Sequence, residues 1–197
     1  MKNIKSFIKR NRFIIISFLA VILIVAFVEL GMGRSFFGPD GKFGWWDGNI
    51  WGNENSQRVA DVYSFTHIIH GLVFYPFLWI VVRRFPARYR FLAALILEGA
   101  WEILENSSFI INRYREATIS QTYFGDSILN SCSDVVMMSI GFLIAYRLRP
   151  WLSVLIVICI ELVLLLWVRD NLSTNIIMLI HPIDALKTWQ SAIQPHF

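Results

Sequence analysis

Residues 91–111 read FLAALILEGAWEILENSSFII, a run long enough to cross the hydrocarbon core of a membrane, which takes about 20 helical residues. Three carboxylates interrupt it: Glu98, Glu102 and Glu105. At the helical spacing i, i+4, i+7 they share one face, and Asn106 lies beside them. An ionised side chain at mid-membrane costs about 2.5–3.5 kcal/mol on insertion scales. A helix carrying three of them is tolerable only if that face is turned toward other protein segments. The stretch therefore predicts a helical bundle rather than an isolated span.

The neighbouring apolar runs supply partners for that face. The preceding one, residues 61–82, carries Ser64 and then His67 and His70 as i, i+3 neighbours, followed by Gly71, which permits close helix approach. The following one, residues 125–146, carries Asp126, Asn130 and Asp134 at i, i+4, i+8, again on one face. Two further runs, 13–30 and 151–168, are almost wholly apolar, with Glu161 alone in the latter. These segments predict an all-α, polytopic membrane helix bundle of about five transmembrane helices, a single membrane domain over residues 1–197. The loop 31–60 is rich in the turn-formers Gly, Asn and Asp. The tail 169–197, with IIMLIHPIDALKTW too short and too Pro-broken to cross, is expected to lie along the membrane surface. The first apolar run is long for a signal-peptide core, and AFVELGMG offers no A-x-A cleavage site, so it is read as a retained anchor.

Composition agrees. Of 197 residues, 56% are hydrophobic and 16% charged, with mean hydropathy +0.54. A soluble domain of this size could not bury so much apolar surface. The net charge of +4 does not indicate nucleic acid, because the basic residues flank apolar runs instead of forming a stripe. Counted by side, 11 Lys and Arg fall with the N-terminus and 7 on the opposite side. That asymmetry predicts a cytoplasmic N-terminus and, with five spans, an extracytoplasmic C-terminus. Cys132 and Cys159 lie within apolar segments and read as buried small hydrophobes, while Trp45, Trp46 and Trp51 read as interfacial anchors. Phosphate-binding Gly loops, dinucleotide fingerprints and soluble nucleophile motifs are absent from the sequence.

Depth then groups the polar residues. With spans 61–82 and 125–146 starting outside and 91–111 running outward, His67, His70, Glu102, Glu105, Asn106, Asp126, Asn130 and Asp134 fall at similar heights in or near the outer half of the bilayer. These are the candidate catalytic residues; Glu98 sits deeper and is a weaker member. Arg113 and Arg115, on the adjoining loop, are candidates for receiving an anionic headgroup. His67, His70, Glu105 and Asp126 could hold a divalent metal, although neither HExxH nor His-x-x-x-His occurs. A lone membrane His is more often a hydrogen-bonded core residue, and a lone Asp or Asn is commonly interhelical glue. Three functions follow: an intramembrane enzyme acting on a lipid-linked or cell-envelope substrate, a small proton-coupled transporter using Glu102, Glu105 and Asp134, or a structural or assembly factor. Membrane lipids are the expected partners, and the oligomeric state stays open.

Four segments, ENSQRVADVYSFTHIIHGLVFY, LEGAWEILENSSFIINRYREATIS, YFGDSILNSCSD and RDNLSTNIIMLIHPIDALKTWQ, resemble uncharacterised protein family 0314, also known as domain of unknown function 2585. The likeness covers about residues 30–190 and implies a bacterial inner-membrane protein; it implies no activity. Members often carry a Cys-containing stretch in the first loop, which FFGPDGKFGWWDG lacks. A fainter likeness is to VanZ-like proteins, whose order of His, Glu, Arg, Asp and Asn before a glycine is imitated by HIIHGLVFY, EILEN, NRYRE and GDSILN with Gly141. It implies a VanZ-like helix arrangement and a cell-envelope role.

Overall fold

The computed structural model describes residues 2–192, with side chains from residue 11 onward. The side chains of Lys2, Lys5, Lys9 and Arg10, and tail residues 193–197, lie outside the described residues. Eight helices follow in order: α1 Lys2–Gly31, α2 Ser64–Val81, α3 Ala87–Glu105, α4 Ser108–Ala117, α5 Ile128–Arg147, α6 Pro150–Val168, α7 Leu172–Ile180 and α8 Asp184–Ser191. The first loop contributes β1 (Trp46–Asp47) and β2 (Ala60–Asp61), which pair in parallel.

Among the described residues, four helices are long and apolar enough to cross a membrane: α1 from Asn11, α2, α5 and α6. Their outward faces are bare hydrocarbon, with Phe27, Ile80 and Leu166 each 70% exposed or more. Exposure on that scale requires lipid rather than water. Helix α3, of comparable length, carries Arg88, Arg90, Glu98, Glu102 and Glu105 and falls short of that apolarity. It is accommodated in the bundle by turning Glu98, Gly99 and Glu102 inward. The core is built from Val25 of α1, Ala94 and Leu95 of α3, and Val135, Met138 and Phe142 of α5.

The closest crossing is between α2 and α5. A Cβ on Gly71 would overlap the Met138 carbonyl and the Phe142 amide, and one on Gly141 would overlap the Ile68 carbonyl. Only glycine lets these backbones meet, as expected of Gly71 from the sequence.

Two boundaries differ from the sequence reading. The third segment was expected to run to residue 111, but α3 stops at Glu105. Asn106 turns its amide into the bundle, and Ser107 caps the next helix by accepting from the Ile110 amide at 3.4 Å. A serine or asparagine offers the backbone this alternative to continuing a helix. What read as the loop NRYREATIS is therefore largely helix α4. Likewise residues 172–191 of the tail are largely helical: Asn171 and Thr174 form a reciprocal capping box that starts α7, and the Glu161 carboxylate accepts the Leu172 and Ser173 amides at 3.0 and 3.1 Å. The isolated membrane acid thus ties α6 to the start of α7.

Candidate functional site

Helix α2 begins where Asp61 satisfies its first turn. The Asp61 carboxylate accepts from the Tyr63 and Ser64 amides at 2.7 and 3.0 Å, and the Ser64 hydroxyl accepts from the Asp61 amide. One turn on, His67 and His70 share a face with their ring centroids 5.1 Å apart. Both turn Nδ1 toward α3. His67 Nδ1 lies 2.7 Å from Glu98 Oε1, and His70 Nδ1 lies 3.0 Å from Glu98 Oε2, so one carboxylate bridges two imidazoles. His67 Nδ1 is also 3.2 Å from Glu102 Oε1, but off the hydrogen-bonding direction. Both oxygens of the fully buried Glu102 are left without a hydrogen-bond partner. From α5, Asp134 Oδ2 approaches His67 Nε2 at 3.8 Å, and Asp134 Oδ1 is buried and unpartnered.

A second knot lies toward the α3–α4 junction. Asn106 Nδ2 is within 3.1–3.2 Å of Glu29 Oε1, Asp126 Oδ2, Ser131 Oγ and the Glu102 carbonyl, while its Oδ1 accepts the Asp126 amide at 2.7 Å. Tyr123 donates to Asp126 Oδ1 at 2.9 Å. Arg34 bonds the Phe124 carbonyl, which fixes the turn at Gly125, whose φ of +97° suits glycine. Asn130 reaches the Arg58 carbonyl at 2.9 Å and Gln57 the Gly125 carbonyl at 2.8 Å, so the first loop is laid across the start of α5. Within that loop Arg58 pairs with Asp40 at 2.7 Å, and this bond holds the Asp40 carboxyl below the usual carboxylate range.

Between these elements is a cavity of about 50 Å³, room for a few waters or a small polar group. Six of the eight sequence-predicted catalytic residues line it: His67, His70, Glu105, Asp126, Asn130 and Asp134. Glu102 and Asn106 sit behind the wall. Tyr63, Tyr114, Tyr123 and Trp101 add to the lining, as do Leu172 and Asn175 of α7. Arg113 and Arg115 do not reach it: Arg113 Nε donates to the Leu179 carbonyl at 2.8 Å, and Arg115 bonds the Tyr123 carbonyl. Of the metal candidates, His67 and His70 come together with Glu98, and His67 also with Glu102 and Glu105; Asp126 belongs to neither group.

Sequence reasoning missed Glu29, Asp61 and the three tyrosines, and ranked Glu98 too low. Glu29 had a signal, being the only acid in a long apolar run and fully buried here. The tyrosines gave none.

Fold and site together define a polytopic helical membrane protein that encloses an acid- and imidazole-lined cavity between its helices. The chain belongs to the family described as "Protein of unknown function (DUF2585)", whose model matches residues 29–192 and so spans every residue of the cavity. It is 47% identical to a UPF0314 protein of Sphingopyxis alaskensis over 174 residues, 87% of this chain and 92% of that one. With a UPF0314 protein of Paracoccus denitrificans it shares 45% identity over 173 residues, 88% of this chain and 90% of the other. A UPF0314 protein of Rhizobium johnstonii is 41% identical over 191 residues, 97% and 98% of the two chains. No solved structure matches the chain.

Proposed function

We propose that the protein is a bacterial inner-membrane enzyme that acts on a lipid-linked or cell-envelope substrate from the extracytoplasmic side. The observation that carries the reading is the Glu98 bridge. By accepting from both Nδ1 atoms it fixes the tautomer in which each Nε2 keeps a lone pair, on imidazoles that border the cavity. An imidazole so held can accept a proton from a water or substrate hydroxyl as the bond to it forms, and return it to the leaving group. Asn130 and the hydroxyls of Tyr63 and Tyr123 supply neutral polar contacts for a headgroup, and the apolar helix faces give its lipid chain a place to lie. Arg113 and Arg115, spent on backbone carbonyls, are assigned to bracing the rim. The excess of Lys and Arg on the N-terminal side supports the orientation, and the VanZ-like order of His, Glu, Arg, Asp and Asn supports an envelope substrate.

The test is complementation of a deletion strain, read by mass spectrometry of its envelope lipids. His67→Gln, present at normal abundance in the membrane, is expected to reproduce the deletion's lipid profile. Full restoration of the wild-type profile by His67→Gln would overturn the reading. So would an unchanged profile in the deletion strain combined with proton-coupled solute flux by the purified protein in liposomes.

A further inference from the structure

We propose that His67, His70, Glu98 and Glu102 bind one divalent first-row transition-metal ion in the middle of the bundle. Three observations converge. First, donor atoms gather in two groups that share His67: His67, His70 and Glu98 each offer one within 4.8 Å of the others', as do His67, Glu102 and Glu105, and His67 Nδ1 is 3.2 Å from Glu102 Oε1. Ligands held at 2.0–2.2 Å from a tetrahedral ion stand about 3.4 Å apart, so an ion would part His67 Nδ1 from Glu98 Oε1, now at 2.7 Å, and draw the wider-set donors inward. Second, Glu102 is fully buried, aimed at this cluster, and has no hydrogen-bond partner on either oxygen. A buried carboxyl without partners must either take up a proton or bind a cation. Third, the charge is one-sided. Among the described residues no Lys or Arg pairs with Glu98, Glu102, Glu105 or Asp134, and the ion pairs they do make are all to His67 and His70. A divalent cation neutralises that excess where hydrocarbon surrounds the bundle.

Donor chemistry narrows the ion. Two imidazoles and two carboxylates suit zinc, iron or manganese and disfavour magnesium, which prefers oxygen and water. Coordination through Nδ1 replaces the bonds to Glu98 and moves each ring's proton to Nε2, the tautomer opposite to the metal-free one; Asp134, at 3.8 Å from His67 Nε2, is then the positioning residue facing that proton. What the ion does rests on the reading of the cavity as a reaction site, but its binding does not.

The experiment measures binding alone. Full-length protein in detergent is stripped with a chelator and titrated with Co²⁺, read by visible absorption, and with Zn²⁺, read by elemental analysis after gel filtration. One equivalent per chain is expected, with the absorption of a four- or five-coordinate site. Glu102→Gln and His70→Gln are expected to weaken Co²⁺ binding by about 100-fold or more. Glu161→Gln, which alters a distant acid of α6, is expected to bind as the wild type does. Because Glu102→Gln changes a fully buried group, each variant's thermal midpoint is recorded, and the half-buried His70 serves as the milder probe. A stripped, folded wild type that takes up neither ion overturns the proposal, as does unchanged affinity in a folded His70→Gln. Absence of metal together with a lipid phenotype for His67→Gln would leave the enzyme and remove only the ion.

Discussion

Asn106 has two amide hydrogens and four acceptors around them, two being carboxylates from α1 and from the loop just before α5. Its orientation is not free, because its own carbonyl oxygen takes the Asp126 amide, which only an acceptor can do. Asn106→Asp keeps that one bond and replaces the shared donor with a third buried acid beside Glu29 and Asp126. The expected loss is about 3 kcal/mol or more, since buried acceptors are stranded and charged groups cost more than neutral ones. Asn106→Leu, which adds no charge, is expected to lose less. Thermal unfolding in micelles measures both, and an Asp variant as stable as the wild type would refute the arrangement. Period-based reading found this residue, as it found the inward faces of α3 and α5, because side chains on a helix declare their face by spacing. It could not find Glu29, Asp61 or Tyr123, which stand at element ends or in loops, where spacing says nothing about direction. Glu98 was ranked low for a related reason. Ending the third segment at 111 instead of 105 pushes Glu98 toward the far end, whereas counting from the true ends puts Glu98 and His70 both about 9–11 Å in.

At the scale of elements, the crossing of α2 on α5 sets the site, because Gly71 follows His70 directly and Asp134 lies one turn before Met138. The obstacle to any side chain at Gly71 is backbone, the Met138 carbonyl and Phe142 amide, and neither can swing aside. Gly71→Ala must therefore part the helices. Overpacking of this kind costs about 1–3 kcal/mol where neighbours can adjust, and this site belongs at or above the top of that range. Gly99 makes the control. A Cβ there would meet only the side chains of Val21 and Val25, at 2.8 and 3.2 Å, and rotamer shifts can relieve both. Gly71→Ala is expected to lower the unfolding midpoint clearly more than Gly99→Ala and to weaken whatever binds at His67 and His70. Equal effects would show that the α2–α5 contact is looser than described. The sequence marked Gly71 as a place of close approach, but Gly141 as its counterpart could be identified only once the two helices were paired in space.

At the scale of the whole molecule, the C-terminal segment closes the cavity, since Leu172 and Asn175 of α7 form part of its wall. It is held at one point by Asp170, whose carboxylate receives Tyr63 Oη at 3.0 Å, Thr174 Oγ1 at 2.8 Å, Asn175 Nδ2 at 3.2 Å and Gln190 Nε2 at 2.9 Å. One buried acid thus joins the residue that precedes α2 to α7 and α8. Further ties run from α4, where Arg113 bonds the Leu179 carbonyl and the Glu116 carbonyl accepts Lys187 Nζ at 2.7 Å. Burial nevertheless outweighs these donors and pushes the Asp170 carboxyl up to about 6, against an ordinary value of 3.8. The sign follows from proton uptake. Between pH 3.8 and about 6 the folded protein holds this proton and the unfolded chain does not, so stability falls as pH rises through that window. The full span amounts to about 3 kcal/mol at this one site. The loss is expected to concentrate where the bond network is anchored, as faster amide hydrogen exchange in residues 172–191 at pH 7 than at pH 4 after correction for intrinsic exchange, with α5 unaffected. Asp170→Asn, neutral at every pH, is expected to abolish the difference between the two. If α7 and α8 exchange alike at both pH values in the wild type, Asp170 is not their fastening, and the closing of the cavity must depend on the α4 contacts instead.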